Sequence, residues 1–242
     1  VLFAALTLVG LHGLGLPMWL AIVATMGVMF LLAVSIERLV LSKLVNQEPI
    51  ILFMATIGIA YFLDGFGQTL WGSEVKVLNL GISEAPGFYF DGQILINDFD
   101  LFAAGIAAVM VVVLGIFFQY TRIGRALRAV ADDHQAALSV GIPLKHIWII
   151  VWTVAGLVGL VAGIMWGSKM GVQFALSLIA LKALPVLILG GFTSVPGAII
   201  GGLIIGAGEK TAIILKTVVH DIATTAELGA GKRRIAHVMG MY

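Results

Sequence analysis

Cysteine is absent from this sequence of 242 residues. Its absence excludes disulfide bonds, thiolate metal sites and cysteine nucleophiles. Charged residues are also scarce, at 11% of the chain, whereas soluble domains carry about a quarter. Hydrophobic residues make up 60% and the mean hydropathy is +1.09, which is more apolar surface than an interior can bury. The sequence therefore predicts an integral membrane protein whose apolar surface faces lipid.

Signatures of nucleic-acid binding and of catalysis are lacking too. The net charge of +1 gives no clustered basic face. The sequence contains neither a phosphate-binding P-loop nor a zinc-ligand pattern such as H-E-x-x-H. Its five histidines are scattered along the chain. We therefore expect no nucleic-acid partner, no catalytic residues, no metal site and no cofactor, and if ATP is used, another chain binds it.

Long hydrophobic segments predict membrane spans. They are Pro17–Ile36, Ile50–Trp71, Leu101–Gln119 and Ile147–Trp166. The stretch Val1–Leu11 is too short, since a span needs about 20 apolar residues, and we interpret it as the remnant of a truncated helix. A further run, Phe174–Gly208, is interrupted at Gly190–Gly197, and we expect neither half to span alone. The predicted fold class is an all-α, polytopic transmembrane helix bundle with a broken or re-entrant segment near Gly190–Gly197.

The distribution of charge predicts which loops lie on each side of the membrane. Lysine and arginine concentrate in residues 120–146, at Arg122, Arg125, Arg128 and Lys145. The positive-inside rule makes this loop cytoplasmic. Counting back one span places the acidic loop 72–100 outside, and a further span places Arg38 and Lys43 inside, in agreement with the same rule.

Two local patterns predict finer structure. In the acidic loop, Asp91-Gly92 lies between two short apolar runs, which is typical of a hairpin turn. In the last of the four predicted spans, Gly159, Gly163 and Gly167 are spaced four residues apart. Small residues at this spacing let a neighbouring helix approach closely. We therefore expect a hairpin in the loop and a glycine-lined packing face on this span.

The region Gly124–Gly141 has the pattern of an amphipathic helix on the cytoplasmic side. Its apolar face is formed by Leu127, Val130, Ala131, His134 and Leu138. Arg128 and Asp132 are four residues apart, which favours a surface ion pair, and Gly141 with Pro143 predicts the end of the helix. Two interpretations remain open: a surface helix that orients two spans, and a docking helix for a cytoplasmic partner.

Polar residues within apolar segments are candidates for a path across the membrane. Asp64 lies inside a hydrophobic run, although its place near the outer edge also fits interfacial solvation. Lys182 must snorkel, pair or face an aqueous cavity. Gln68 and Ser194 either line a path or bond to neighbouring helices. Residues of the broken segment, which lines a cavity or forms a tight cytoplasmic turn, complete the candidates: Gly190, Gly191 and Pro196.

Two stretches resemble a known family of membrane proteins. The first is Thr121–Asp132 (TRIGRALRAVAD), which leads to Val140-Gly141-Ile142, and the second is Leu189–Ala198 (LGGFTSVPGA). In this order and at this spacing they resemble the branched-chain amino acid permeases of ATP-binding cassette importers. The similarity extends from about Val1 to Lys210.

The resemblance implies a set of partners and contacts. Such a permease pairs with a second permease subunit, two cytoplasmic ATP-binding subunits and an external or periplasmic substrate-binding protein, in the bacterial inner membrane. The helix Gly124–Gly141 would enter a cleft of the ATPase, with Arg125, Arg128 and Asp132 as contacts and Gly141 at its end. The loop 72–100 would face the binding protein.

The resemblance also implies a function and a division of the chain. Residues 1–210 form a transmembrane permease domain that lacks the family's N-terminal segment, and residues 211–242 form a divergent tail. The substrate is a branched-chain or related amino acid, with urea or a short amide left open. Two alternatives from other classes remain, namely a stand-alone secondary transporter or channel coupled through Asp64 and Lys182, and a membrane scaffold subunit.

Overall fold

The computed structural model describes residues 1–44, 47–78, 86–89, 94–191 and 195–238. Within these ranges the chain forms two compact units, Val1–Ala180 and Leu181–Tyr242. The elements that begin in the first unit are α1 Leu2–Gly13, α2 Met18–Ile36, a π-helical turn Glu37–Leu41, α3 Ser42–Leu44, α4 Pro49–Trp71, β1 Pro86–Tyr89, β2 Ile94–Asn97, α5 Asp98–Tyr120, α6 Arg122–Asp132, α7 His134–Ser139, α8 Leu144–Met170 and α9 Ala175–Leu181. The second unit contains α10 Ala183–Gly190 and α11 Val195–Val238.

Five helices in the described residues are long and apolar enough to cross a membrane. They are Met18–Leu44, Ile50–Trp71, Asp98–Tyr120, Leu144–Met170 and Pro196–His220. The predicted fold class and the four predicted spans are confirmed. The expectation that neither half of the broken run spans is wrong for the second half, because α11 continues past Gly208 to reach spanning length. The protein is therefore a multi-pass helical membrane protein.

Helix α1 is too short to span, as predicted, yet it lies at the centre of the first unit. It packs against α2, α4 and α8. Leu2, Leu6 and Leu8 are almost fully buried, and the Thr7 hydroxyl donates to the Phe3 carbonyl, which satisfies it within the helix. An apolar helix that is buried on all sides provides the core around which longer helices pack.

Helix α2 and the π-helical turn that follows it share one stripe of buried residues. The stripe recurs every fourth residue, at Ala21, Thr25, Met29, Ala33, Glu37 and Leu41. An α-helix has 3.6 residues per turn, so a strict four-residue repeat drifts around its axis. The π-helical turn Glu37–Leu41 takes up an extra residue. We attribute to it the return of Leu41 to the buried face.

The glycine face of α8 is confirmed. Gly159, Gly163 and Gly167 are buried, and a Cβ built on Gly163 would lie 3.0 Å from the Cβ of Ala5 in α1. A Cβ on Gly156 would lie 3.1 Å from the Cβ of Met29 in α2. The small residues therefore let α8 approach α1 and α2 backbone to backbone.

The hairpin predicted in the acidic loop is confirmed in its strands. Strand β1 pairs antiparallel with β2, with Phe88 opposite Leu95, while the Asp91-Gly92 turn lies outside the described residues. After β2, the Asn97 side chain accepts a hydrogen bond from the backbone N–H of Phe99 at 2.9 Å. This cap begins α5 directly at the end of the hairpin.

The second unit is a helical hairpin of α10 and α11 with closely packed backbones. A Cβ on Gly190 would lie 2.3 Å from the Gly197 carbonyl oxygen, and one on Gly201 would lie 2.8 Å from that of Val186. Gly191 ends α10 with φ +88°, a conformation that favours glycine. The predicted break after Gly190 is therefore confirmed, and residues 192–194 lie outside the described part of the chain.

Candidate functional site

Two helices, rather than one, follow the third long span. The prediction of a continuous helix Gly124–Gly141 is wrong, because α6 ends at Asp132 and Asp133 is extended, with φ −153° and ψ 113°. The Asp133 side chain accepts a hydrogen bond from the backbone N–H of Ala136 at 3.1 Å and so begins α7. Aspartate competes in this way with the helical backbone, which is why it favours caps over helix interiors.

The start of α6 is fixed against the end of α5 by Thr121 and Gly124. The Thr121 hydroxyl donates to the Phe117 carbonyl at 2.6 Å and accepts from the Gly124 N–H at 2.9 Å. A Cβ on Gly124 would lie 2.3 Å from the Phe118 carbonyl oxygen. Only glycine fits this contact, so the turn rigidly sets the direction of α6.

Helix α6 has one buried face and one charged face. Leu127 and Val130 are buried in a cluster with Ala137, Leu144 and Ile147, whereas Arg125, Arg128 and Asp132 are exposed. The remainder of the predicted apolar face is wrong, because Ala131 and Leu138 are exposed. The break at Asp133 shifts the register of α7, so that Ala137 rather than Leu138 packs with Leu127 and Val130. The side chain of His134 lies outside the described ones.

The charged face of α6 leaves its arginines available. Arg128 donates through Nη2 to the Gln119 carbonyl at 3.5 Å rather than pairing with Asp132. Gly141 follows α7 with φ +86° and is exposed, in keeping with its predicted place at the end of this region. The arrangement presents guanidinium groups on a fixed element, which suits the binding of an acidic protein surface.

Asp64 lies on α4 and is half buried. Its Oδ2 accepts a hydrogen bond from the Ser177 hydroxyl of α9 at 2.7 Å. Gln68, one turn further along α4, is also half buried. Ser177 was missed in the sequence, where the available signal was a lone hydroxyl within an otherwise apolar run.

A cavity of about 200 Å³ opens beside Asp64. Phe3, Leu63 and Trp152 provide much of its apolar wall, and Thr56, Asp64 and Ser177 provide its side-chain oxygens. A small amphipathic molecule or a few waters would fit such a space. The structure thus places Asp64 in the wall of a cavity.

Lys182 precedes α10 and pairs with a residue that the sequence analysis did not single out. Its Nζ lies 2.5 Å from Oε1 of Glu209 in α11. Of the three possibilities for Lys182, the structure therefore shows pairing. Gly190 ends α10 and Pro196 is the second residue of α11, whereas Ser194 lies outside the described residues.

Glu37 is a second charged residue that sequence reasoning missed. Its side chain is 2% exposed, and among the described residues its Oε2 has no hydrogen-bond partner. Its place in the buried four-residue stripe of α2 was the available signal. In the part of the chain that the structure describes, no group of three His, Asp or Glu side chains is placed to hold a metal ion.

Comparison with known proteins identifies the family of this chain. A family model described as "Branched-chain amino acid transport system / permease component" matches residues 1–226. The high-affinity branched-chain amino acid transport system permease protein LivH of Salmonella typhimurium is 30% identical over 207 residues, which are 80% of this chain and 65% of LivH. LivH of Escherichia coli K12 gives the same identity and coverage.

A third relative extends the match slightly. BraD of Pseudomonas aeruginosa, a permease protein of a high-affinity branched-chain amino acid transport system, is 27% identical over 219 residues, 86% of this chain and 70% of BraD. No solved structure gives a significant match. The chain covers 65% of the length of LivH, which is less than two thirds, and it belongs to the family of branched-chain amino acid transport permease components.

Proposed function

We propose that this chain is the permease subunit of an ATP-binding cassette importer and forms part of the translocation path for branched-chain or related amino acids. The family and the names of LivH and BraD support the substrate class. ATP hydrolysis then belongs to two cytoplasmic ATP-binding subunits, with a second permease subunit and an external or periplasmic binding protein completing the importer.

The observation that carries this proposal is the fixed, charged face of α6. Arg125 and Arg128 are exposed on a helix whose start is locked to α5 by Thr121 and Gly124. A helix that must transmit movement between subunits needs a rigid attachment to a span, and this turn supplies one. Arg125, Arg128 and Asp132 are the proposed ATPase contacts, with Gly141 limiting the docking region.

The proposed orientation follows from charge. Loop 120–146 lies in the cytoplasm and loop 72–100 lies outside in the inner membrane of a bacterium, because basic residues favour the cytoplasmic side. At the acidic end, Lys169 of α8 pairs with Asp100 of α5 at 2.6 Å. The backbone of Lys76 also pairs with that of Val172. These contacts support a structured outer surface for the binding protein.

The proposed path contains Asp64, Gln68 and Lys182, together with the broken segment at Gly190, Gly191, Ser194 and Pro196. The cavity beside Asp64 supports its part in this assignment. The predicted division of the chain is a permease domain, residues 1–210, followed by a divergent tail, residues 211–242. This division stays a prediction. Because the family match runs to residue 226, truncation after residue 210 and after residue 226 would test where the permease domain ends.

Co-purification with the ATP-binding subunits tests the proposal. The tagged chain is co-expressed with its partners, and Arg125→Glu plus Arg128→Glu is compared with the unaltered chain. We expect the unaltered chain to retain the ATPases and the double variant to lose them. Lys43→Glu plus Lys145→Glu is the control, because it makes the same charge change at exposed positions outside α6. Equal loss in both double variants, or no recruitment by the inserted, unaltered chain, contradicts docking through α6.

A further inference from the structure

An ion pair lies near the middle of the last span. Gly208 is the central residue of the span Pro196–His220, and Glu209 follows it directly. The Glu209 carboxylate meets the Lys182 ammonium at 2.5 Å. Charged side chains at this depth are costly to place in a bilayer and are typical of substrate or ion pathways.

The two charged side chains are exposed at the surface of the second unit. The side chain of Lys182 is 56% exposed and that of Glu209 is 49% exposed. A pair that faced hydrocarbon would have neither water nor protein around its remaining donors and acceptors. Water or a polar ligand in a path through the assembled importer would satisfy these donors and acceptors.

Lys182 occupies an interruption between two helices. Helix α9 ends at Leu181 and α10 begins at Ala183. Pro185 has no N–H, so it cannot donate to the Leu181 carbonyl and the helix is interrupted one turn earlier. The first turn of α10 thus adds the partial positive charge of a helix N-terminus to the Lys182 ammonium, while Glu209 supplies negative charge from the facing helix.

We propose that Lys182 and Glu209 form a binding site for the zwitterionic head group of an α-amino acid. The inference rests on the proposed function and assigns the substrate contact within it. The substrate carboxylate binds Lys182 Nζ, and the substrate ammonium binds the Glu209 carboxylate. The ion pair seen here is the substrate-free form, in which each charged side chain neutralises the other.

The chemistry of this exchange favours zwitterions. A zwitterion that opens the pair gives each side chain a new partner of the correct sign, so no charge is left uncompensated. An amine without a carboxylate, or a carboxylate without an amine, can pair with only one of the two side chains and leaves the other without its ion-pair partner, so it gains less electrostatic energy than a zwitterion does. Exposed Leu181, Leu184 and Ile213, close in sequence to the pair, provide apolar surface for a branched side chain.

Saturation-transfer NMR tests binding without the external binding protein. The permease–ATPase complex in detergent is mixed with L-leucine or with one of two analogues. L-Leucinamide lacks the carboxylate, and 4-methylpentanoate lacks the ammonium group. We expect saturation transfer to leucine and much less to either analogue. Lys182→Met and Glu209→Gln keep the side-chain size, and each should reduce leucine binding by about tenfold or more. Unchanged leucine binding in both variants overturns the inference.

Two further variants separate a ligand site from a structural ion pair. Lys169→Met removes the other described salt bridge, which has similar exposure, and should leave leucine binding unchanged. In Lys182→Glu plus Glu209→Lys the pair is restored with reversed polarity against the N-terminus of α10. We expect this exchange not to restore leucine binding, and restoration would show that the pair is only structural.

The same proteins distinguish this inference from the proposed function. Each variant is checked for its melting temperature and for ATPase co-purification, so that misfolding is recognised. If Lys182→Met, Glu209→Gln and the exchange variant all keep ATP-driven leucine uptake, the importer function stands and the proposed binding site is overturned. A correctly folded, unaltered complex that shows no ATP-driven uptake of leucine instead removes the proposed function on which the site depends.

Discussion

Two carboxylates of the first unit have opposite surroundings. Asp64 accepts a hydrogen bond from Ser177 and opens to a cavity. Glu37, in the π-helical turn, is 2% exposed, and its Oε2 lacks a hydrogen-bond partner among the described residues. A buried polar atom without a partner costs folding free energy. An uncharged side chain at this position should therefore stabilise this conformation.

Replacement of Glu37 tests this cost. Glu37→Met keeps an unbranched side chain of similar length and removes the unsatisfied Oε2, so we expect the free energy of unfolding to rise by about 1–3 kcal/mol. Thermal unfolding of the purified protein in detergent measures the change. Glu48→Met, at an exposed position, is the control and should have little effect. A less stable Glu37→Met protein would show that the carboxylate is well satisfied in the folded state.

At the scale of elements, the turn between α5 and α6 depends on Gly124. A Cβ at this position would overlap the backbone carbonyl oxygens of Phe118 and Phe117, at 2.3 and 2.6 Å. Backbone atoms cannot move aside as a side chain can, so α6 must shift. We expect Gly124→Ala to reduce ATPase co-purification strongly and to lower stability by about 1–3 kcal/mol.

Gly115→Ala is the matched control for that turn. Gly115 lies within α5, and a Cβ built there meets nothing within 4 Å. Alanine should be tolerated, since it is also the better helix former. Equal retention of the ATPases by Gly124→Ala and Gly115→Ala would contradict the rigid-turn account of α6.

The hairpin of α10 and α11 makes a parallel prediction. Gly190→Ala places a methyl group 2.3 Å from the Gly197 carbonyl oxygen, so the two helices must separate. Since Lys182 directly precedes α10 and Glu209 lies on α11, we expect leucine uptake to fall together with thermal stability. Gly206→Ala, which meets nothing within 4 Å, should change neither quantity. Normal uptake by Gly190→Ala would argue against close packing of these helices during transport.

Elements differ in how far their sequence determines them. Hydropathy alone predicts α2, α4, α5 and α8, because lipid requires about 20 consecutive apolar residues. The break at Asp133 was missed, since it depends on a side chain that competes locally with the helical backbone. The full length of α11 was also missed, because Glu209 and Lys210 interrupt its apolar signal.

The site residues also divide into those that local sequence predicts and those that depend on contacts between helices. The face of Arg125 and Arg128 follows from helical spacing, which is local. The pairs of Asp64 with Ser177 and of Lys182 with Glu209 join residues on different helices. Such pairs depend on how the helices pack, and a single sequence carries no direct signal for that packing.

At the scale of the whole molecule, the absence of native cysteine permits a clean test of the path. Ser177→Cys, at the cavity beside Asp64, should react with a small membrane-impermeant thiol reagent when the importer is assembled. Leu160→Cys is the control, and because Leu160 is 2% exposed, the introduced cysteine should remain unmodified. Protection of both cysteines in every transport state would favour a scaffold without a path.

ATP-driven uptake of radiolabelled leucine into proteoliposomes tests directly whether this chain is the permease subunit of an ATP-binding cassette importer. The vesicles contain this chain with its second permease and ATP-binding subunits, and the binding protein is present on the opposite side from the ATPases. We expect uptake that requires ATP on the ATPase side and stops when either ATP or the ATP-binding subunits are omitted. Leucine uptake by the chain alone, driven by an ion gradient without ATP-binding subunits, would contradict it.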